Sequence, residues 1–415
     1  MATRGAHLLR ADRAFATGGG LLGRLIAPAF ARVLDQLDAR LEQGGIHATL
    51  PSGEHRRIGF HAPGPEAIVE LRSWMALVRL ATSGSVGWYK AWERGEWRSP
   101  DPVPLFDLFM RNAASLEDAA RAKGPARWLN RLAHLARDNA PHRARENIAA
   151  HYDLGNDFYA AWLDQSMTYS SALFAGPETL EQAQQRKIAA LLTRLQLKPG
   201  DRLLEIGCGW GSLAIEAARR GAAVVGLTLS TEQKAWSERR TAEEGLADRI
   251  EIRLQDYRDV SGQFDAVASV EMVEAVGERW WSAYLDCIAR RLKPGGRAAL
   301  QFIAIRPDLF DRYAASADFI QTYIFPGGML LHEPRFRVMA EARGLVWQDR
   351  SPDFGIHYAD TLREWRRRYD QAVAAGQLAG FPGEFHRLWR YYLMYCEGGF
   401  RGSGITVAQV TLVKR

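Results

Sequence analysis

The residues best placed to do chemistry stand together where Leu203-Leu204-Glu205-Ile206 runs into Gly207-Cys208-Gly209-Trp210-Gly211. An apolar run that carries an acid and ends in a glycine-rich turn is the local form of a ligand loop. Glycine lets backbone approach a ligand closely and adopt positive φ. The carboxyl end of a strand is also where open α/β sheets bind ligands. A dinucleotide would prefer G-x-G-x-x-G and an acid closing the second strand. Here that strand closes on Leu227-Thr228-Leu229-Ser230, with no acid. Glu205 and the G-x-G-x-G spacing favour S-adenosylmethionine, with a purely structural tight turn as the bland alternative. Asp256-Tyr257 follows a third expected strand, where a side chain can meet an adenine. Glu271 lies just past a fourth, and Lys293-Pro294-Gly295-Gly296 reads as a turn before a fifth. Each is ordinary alone, since Pro-Gly is usually only a turn; their shared order carries the weight.

The elements that must position these groups follow from periodicity. Strands are expected at Arg202–Ile206, 222–229, Ile250–Leu254, 263–270, 298–305 and 406–413, with helices at 212–220 and 281–292. Alternating strands and helices imply an α/β fold with a Rossmann-like doubly wound parallel sheet; with the S-adenosylmethionine turn on its first strand, the expectation is the class I methyltransferase kind. Upstream, residues 21–41 have helical spacing, 47–50 and 57–61 read as strands, and 66–82 looks helical. A segment dense in Gly and Trp follows, from Gly84 to Trp97. These imply a smaller α+β domain, so the chain divides into 1–140 and 141–415. Residues 121–150 hold six arginines, Lys123 and two histidines. That tract is either a solvated helix and linker or a surface for anionic headgroups.

Composition bounds the rest. A chain of 415 residues with 47% apolar and 25% charged residues is globular and long enough for two cores. Cys208, Cys287 and Cys396 are odd in number and lack C-x-x-C spacing, which argues against a metal site and fits a reducing cytoplasm. Net charge +6 suits an anionic membrane face or a nucleic acid without selecting either. No apolar run approaches a membrane span and no signal peptide is expected, so any membrane contact is peripheral.

Further motifs carry a family resemblance. His151-Tyr152-Asp153-Leu154-Gly155-Asn156-Asp157-Phe158-Tyr159 is followed by Met167-Thr168-Tyr169-Ser170 and the 203–211 turn. Then come Thr228-Leu229-Ser230-Thr231-Glu232-Gln233, Glu271-Met272-Val273-Glu274-Ala275-Val276-Gly277, Tyr323-Ile324-Phe325-Pro326-Gly327-Gly328 and Tyr395-Cys396-Glu397-Gly398-Gly399-Phe400-Arg401. Together these closely resemble the cyclopropane-fatty-acyl-phospholipid and mycolic acid cyclopropane synthases over residues 146–415. Trp97-Arg98-Ser99-Pro100-Asp101 resembles the accessory domain of longer members more loosely. The resemblance implies cofactor contacts at Tyr169, Ser170, Glu205, Gly207, Cys208, Gly209, Gly211, Thr228, Leu229, Ser230, Gln233, Tyr257 and Arg258, beside the Asp256 and Glu271 positions read above. It makes Cys396 the family's catalytic cysteine position. It also implies a bound bicarbonate held by Glu274, Gln301 and Tyr358, with Ser171 nearby. Several bacterial members have Cys at the position of Ser171 and His at that of Gln301; a plant-like branch shares Gln-Phe-Ile at Gln301-Phe302-Ile303.

The implied reaction adds a one-carbon unit from S-adenosylmethionine to the cis double bond of a phospholipid acyl chain, forming a cyclopropane. An isolated alkene is a poor nucleophile, so positioning does much of the work. Methyl transfer leaves a carbocation, which needs a dry pocket and a base. Gln301 and Tyr358 would donate to bicarbonate and Glu274 accept from it. Tyr323, Phe325 and Phe302 could shelter the cation, although ordinary core packing explains each of them alone. Expected partners are unsaturated phospholipid at the inner membrane face and, as in the family, a second copy of the chain; no nucleic acid is expected. Three alternatives stand: loss of a different proton, giving a methyl or methylene branch; a small-molecule or nucleic-acid methyltransferase; and a cofactor or lipid binder without turnover.

Overall fold

The computed structural model describes residues 4–9, 27–116, 154–315 and 318–415. The basic tract at 121–150, the His151-Tyr152-Asp153 opening and residues 21–26 of the first expected helix lie outside them. The chain forms two compact units. The first takes Met1–Arg137, Asp308–Pro326 and Ala379–Ile405; the second takes Asp138–Pro307, Gly327–Leu378 and Thr406–Arg415. The units are therefore interleaved along the sequence, whereas the sequence reading drew one cut after residue 140.

In the first unit, β1 (Gly45–Thr49), β2 (His55–Gly59), β3 (Glu66–Leu71) and β4 (Trp97–Arg98) form a sheet in the order β2-β1-β3-β4. β1 runs antiparallel to β2 and parallel to β3, and β4 is antiparallel to β3. β3 corrects the helical expectation at 66–82. Its side chains alternate in burial, with Ala67, Val69 and Leu71 inward and Glu66, Ile68 and Glu70 outward, the period of two that only a strand satisfies. The helix Met75–Glu93 begins after it and bends at Gly84, whose φ of 57° and ψ of −138° lie outside helical values. Trp88 and Trp97 stack at 4.4 Å, and the Trp97 indole N–H donates to the Trp88 carbonyl at 3.0 Å. Tyr89 sits 4.9 Å from Phe319, 4.9 Å from Tyr323 and 5.0 Å from Tyr391, ring centre to ring centre. The aromatic core thus draws on all three chain segments. The helices Val103–Arg111 and Gly383–Arg401 meet through glycine, with a Cβ on Gly398 falling 2.3 Å from Phe106 Cβ.

In the second unit, β5 (Arg202–Ile206), β6 (Ala223–Thr228), β7 (Ile250–Leu254), β8 (Phe264–Val270), β9 (Leu292–Ile305), β10 (Leu345–Gln348) and β11 (Ile405–Lys414) build a sheet in the order β10-β11-β9-β8-β5-β6-β7. β5, β6, β7, β8 and β9 pair in parallel, and β10 is antiparallel to β11. The chain enters at β5, steps outward through β6 to β7, then returns to β8 on the other side of β5. The switch point therefore lies between β5 and β8, where such sheets bind ligands. Leu203, Leu204, Ile206, Val224, Leu227, Val267 and Ala268 are buried, as their unbroken apolar runs require for strands covered on both faces. Phe264 faces Leu292 while Ala266 faces Arg297. Lys293-Pro294-Gly295-Gly296 is thus a bulge within β9 rather than a turn before it. Among the described residues no helix is long and apolar enough to cross a membrane.

Candidate active site

The glycine turn grows from the carboxyl end of β5. The N–H groups of Gly207 and Cys208 both donate to the Leu227 carbonyl, at 3.1 and 2.9 Å, tying the turn to β6. Gly207 has a φ of 81°, and a Cβ there would lie 3.0 Å from Met272 Cγ. Gly209 has a φ of 52°, and a Cβ there would meet nothing within 4 Å, so the turn presents bare backbone to open space. Trp210 donates its indole N–H to Asn156 Oδ1 at 2.7 Å, anchoring the turn to the Leu154-Gly155-Asn156 motif. Cys208 is buried and its thiol is pushed well above the usual range, so it packs rather than reacts.

Glu205 sits within this frame, buried, with one oxygen accepting from the Ala214 N–H and Oε2 unpartnered. Burial raises its pKa to about 8, against the lowering by Ala214 and Lys187. At the end of β6, Thr228 Oγ1 donates to Gln233 Oε1 at 2.8 Å, and Ser230 Oγ caps the next helix by accepting the Gln233 N–H at 3.2 Å. Leu229 lies between them, half-buried. At the end of β7, Arg258 donates twice to Asp256, at 2.8 and 2.6 Å, and its guanidinium stands 5.1 Å from the Trp280 ring centre. The Tyr257 hydroxyl is buried without a partner. Bare backbone over Gly209, with unpartnered polar oxygens on Glu205 and Tyr257, suits a bound S-adenosylmethionine. Gly207–Gly211, Thr228–Gln233 and Asp256–Arg258 would hold it.

Across the switch point, the end of β8 carries two acids. Glu271 has a φ of 49°, a left-handed conformation that costs a non-glycine residue about 1–3 kcal/mol. Its Oε1 accepts the Ser171 N–H at 2.9 Å and the Gln301 amide at 2.7 Å, and the Tyr358 hydroxyl donates to the same carboxylate. Three of the five expected catalytic residues thus converge on one acid, Glu271, which the sequence reading had placed with the cofactor. Glu274 accepts the Ile303 N–H on Oε1, while its Oε2 is buried and unpartnered. Burial lifts its pKa to about 8, the Ile303 N–H opposes this and Glu271 adds to it.

A buried lysine completes the cluster. Lys187, on the helix Leu180–Leu195, donates to Ser170 Oγ at 2.6 Å, and burial lowers its pKa to about 8 against the pull of Glu271, Asp164 and Glu205. Tyr169 packs 5.2 Å from Trp365. The sequence reading missed Lys187, although Gln184, Lys187, Ile188 and Leu191 repeat at the spacing of one helix face. It also missed Gln409 on β11, which donates to Gln301 Oε1 at 3.0 Å.

Bicarbonate does not fit these donors as expected. Gln301 spends its amide hydrogens on Glu271 and, at 3.3 Å, on the Ser171 carbonyl. Ser171 turns its hydroxyl to the Ala172 carbonyl at 3.0 Å. Cys396 belongs to the first unit, on the helix Gly383–Arg401. Its thiol is pushed up by burial and by Asp318, so it stays protonated. Tyr323 belongs to the aromatic core of that unit, Phe325 lies 6.3 Å from Tyr392, and Phe302 packs 6.1 Å from Trp347 in the second. Among the described residues no cluster of His, Cys, Asp or Glu suits a metal ion.

A match to the mycolic acid cyclopropane synthetase family runs over residues 139–410. The tuberculostearic acid methyltransferase UfaA1 of Mycobacterium tuberculosis is 39% identical over 351 residues, covering 81% of this chain and 80% of that protein. The cyclopropane-fatty-acyl-phospholipid synthase of Escherichia coli strain K12 is 36% identical over 341 residues, 80% of this chain and 84% of that one. The crystal structure of mycolic acid cyclopropane synthase CmaA1 complexed with SAH and CTAB superposes with a TM-score of 0.61 at 31% identity, covering 65% of this chain and 98% of its own. With the switch-point turn and its buried acids already in place, these similarities assign the chain to the mycolic acid cyclopropane synthetase family, as an S-adenosylmethionine-dependent methyltransferase.

Proposed function

We propose that this enzyme transfers a methylene group from S-adenosylmethionine to the cis double bond of an unsaturated phospholipid acyl chain, closing a cyclopropane ring. When bound, the cofactor supplies an electrophilic methyl on sulfur. The observation that carries the reading is the pairing of an open glycine turn at β5 with buried carboxyls at the ends of β5 and β8, two of them pushed up to about 8. Burial is the largest cause of both shifts, so water has little access to these two carboxyls. Scarcity of water is what a carbocation on an alkyl chain needs to survive. The phospholipid substrate is supported by the Escherichia coli relative, and the enzyme would meet it peripherally, at the inner membrane face. A second reading, a methyl or methylene branch without ring closure, is favoured by the similarity to a tuberculostearic acid methyltransferase.

Incubation with methyl-labelled S-adenosylmethionine and cis-unsaturated phospholipid vesicles tests both. Label in the acyl chains with the upfield ring-methylene signal in proton NMR is the expected result. Label without that signal selects the branched product. No label in the lipid removes the acyl-chain reading.

A further inference from the structure

We propose that Glu271 is the resident base of the reaction, its carboxylate occupying the anion position itself and taking the proton that the methylated acyl chain must lose. This rests on the acyl-chain reading above. Among the described residues three donors meet at Glu271: the Ser171 N–H at 2.9 Å, the Gln301 amide at 2.7 Å and the Tyr358 hydroxyl; burial raises its pKa, and the Lys187 cation and these donors oppose that rise. Gln301 cannot turn to serve another anion, because its carbonyl receives the Gln409 amide at 3.0 Å and its second N–H the Ser171 carbonyl. A second anion would meet a like charge among buried groups, with these donors already spent. The neighbouring acids are less well served, since Glu205 Oε2 and Glu274 Oε2 are both buried without a partner, whereas three donors meet at Glu271. The fold also keeps a glutamate at a φ of 49°, where glycine would be unstrained. Strain of that kind is held in place by surrounding contacts and clusters at active sites.

The step balances without another reactant. The alkene π pair forms the bond to the methyl carbon, and the carbon–sulfur pair stays on sulfur. A C–H bond of the new methyl then breaks, its pair closes on the cationic carbon, and the proton passes to Glu271, which returns it to water after product leaves. If the proton comes instead from a chain carbon beside the cation, the same base yields a branch.

Glu271→Gly tests this, because glycine adopts the required φ, and the strain it relieves offsets part of the cost of freeing three buried donors. In the presence of S-adenosylhomocysteine, 13C-bicarbonate should show no binding to the wild type by NMR. It should bind the variant at least about tenfold more tightly, the vacated donors now being free. In bicarbonate-stripped buffer the wild-type rate on unsaturated vesicles should hold within about twofold. The variant should lose about 100-fold and recover about tenfold on adding formate or bicarbonate. Equal bicarbonate binding by both proteins, or loss of wild-type turnover on stripping, would overturn the proposal. The binding arm needs no lipid turnover, so a wild type inert on every unsaturated phospholipid would count against the proposed function while the anion position is still decided.

Discussion

Glu205 illustrates how a sheet can hold a carboxyl as an acid. Buried at the end of β5, it titrates near 8 instead of 4.5 because ionisation has to occur in a medium of low polarity. A carboxyl whose folded pKa exceeds its unfolded one takes up a proton on folding. Its stabilising contribution is therefore complete below about pH 4.5 and is lost as pH rises through about 8. Glu205→Gln cannot ionise and escapes that loss. Its thermal midpoint relative to wild type should climb by about 4 °C or more between about pH 5 and about pH 9. A difference that stays flat across that range in a series of melts would show that Glu205 is already ionised in the fold. At this scale the sequence was partly legible. Glu205 and Glu271 stood out because an acid bounding an apolar strand is costly and local. Lys187 did not, because a lysine among Gln184, Gln185 and Arg186 reads as a solvated face until the turn holding Ser170 packs over it.

The elements were legible where one physical rule dominated. β5 and β7 lie where their apolar runs predict, and the helices Ser212–Arg219 and Trp281–Arg291 fall where they were expected. β3 was misread because its alternation of six residues passes directly into the longer apolar helix Met75–Glu93, whose period overwhelms it in any wide window. The bulge in β9 was misread for a related reason: Pro-Gly-Gly breaks a strand locally, and only pairing with β8 on both sides shows that the strand resumes. Glycines on the helix Gly383–Arg401 give a sharper test. Gly398→Ala would set a Cβ 2.3 Å from Phe106 Cβ and 2.8 Å from the Val103 carbonyl oxygen, so two helix backbones must separate. The expected cost is about 1–3 kcal/mol, measured by denaturant titration. Gly383→Ala, on the same helix with nothing closer than 3.8 Å, should be neutral or stabilising by up to about 1 kcal/mol. Equal effects from the two changes would show that helix propensity, and not contact, decides.

Taken whole, the molecule's plan was the least legible part, because it depends on contacts between distant segments. Tyr89 meets Phe319, Tyr323 and Tyr391, and Phe106 meets Tyr395 at 5.3 Å. No periodicity near residue 89 announces partners more than two hundred positions away. A fragment of residues 1–140 should accordingly lack a cooperative thermal transition and show collapsed amide dispersion in NMR. A sharp two-state melt of that fragment would mean that its own segment suffices. The interleaving also bears on how the protein comes into being at the ribosome. The first-made third emerges with Tyr89 and Phe106 uncovered, and their aromatic partners are still hundreds of codons from translation. Until the stretch through Ile405 has left the exit tunnel, those oily faces have nothing of their own to fold against, so nascent chains stalled midway are the ones that will need a chaperone's shelter.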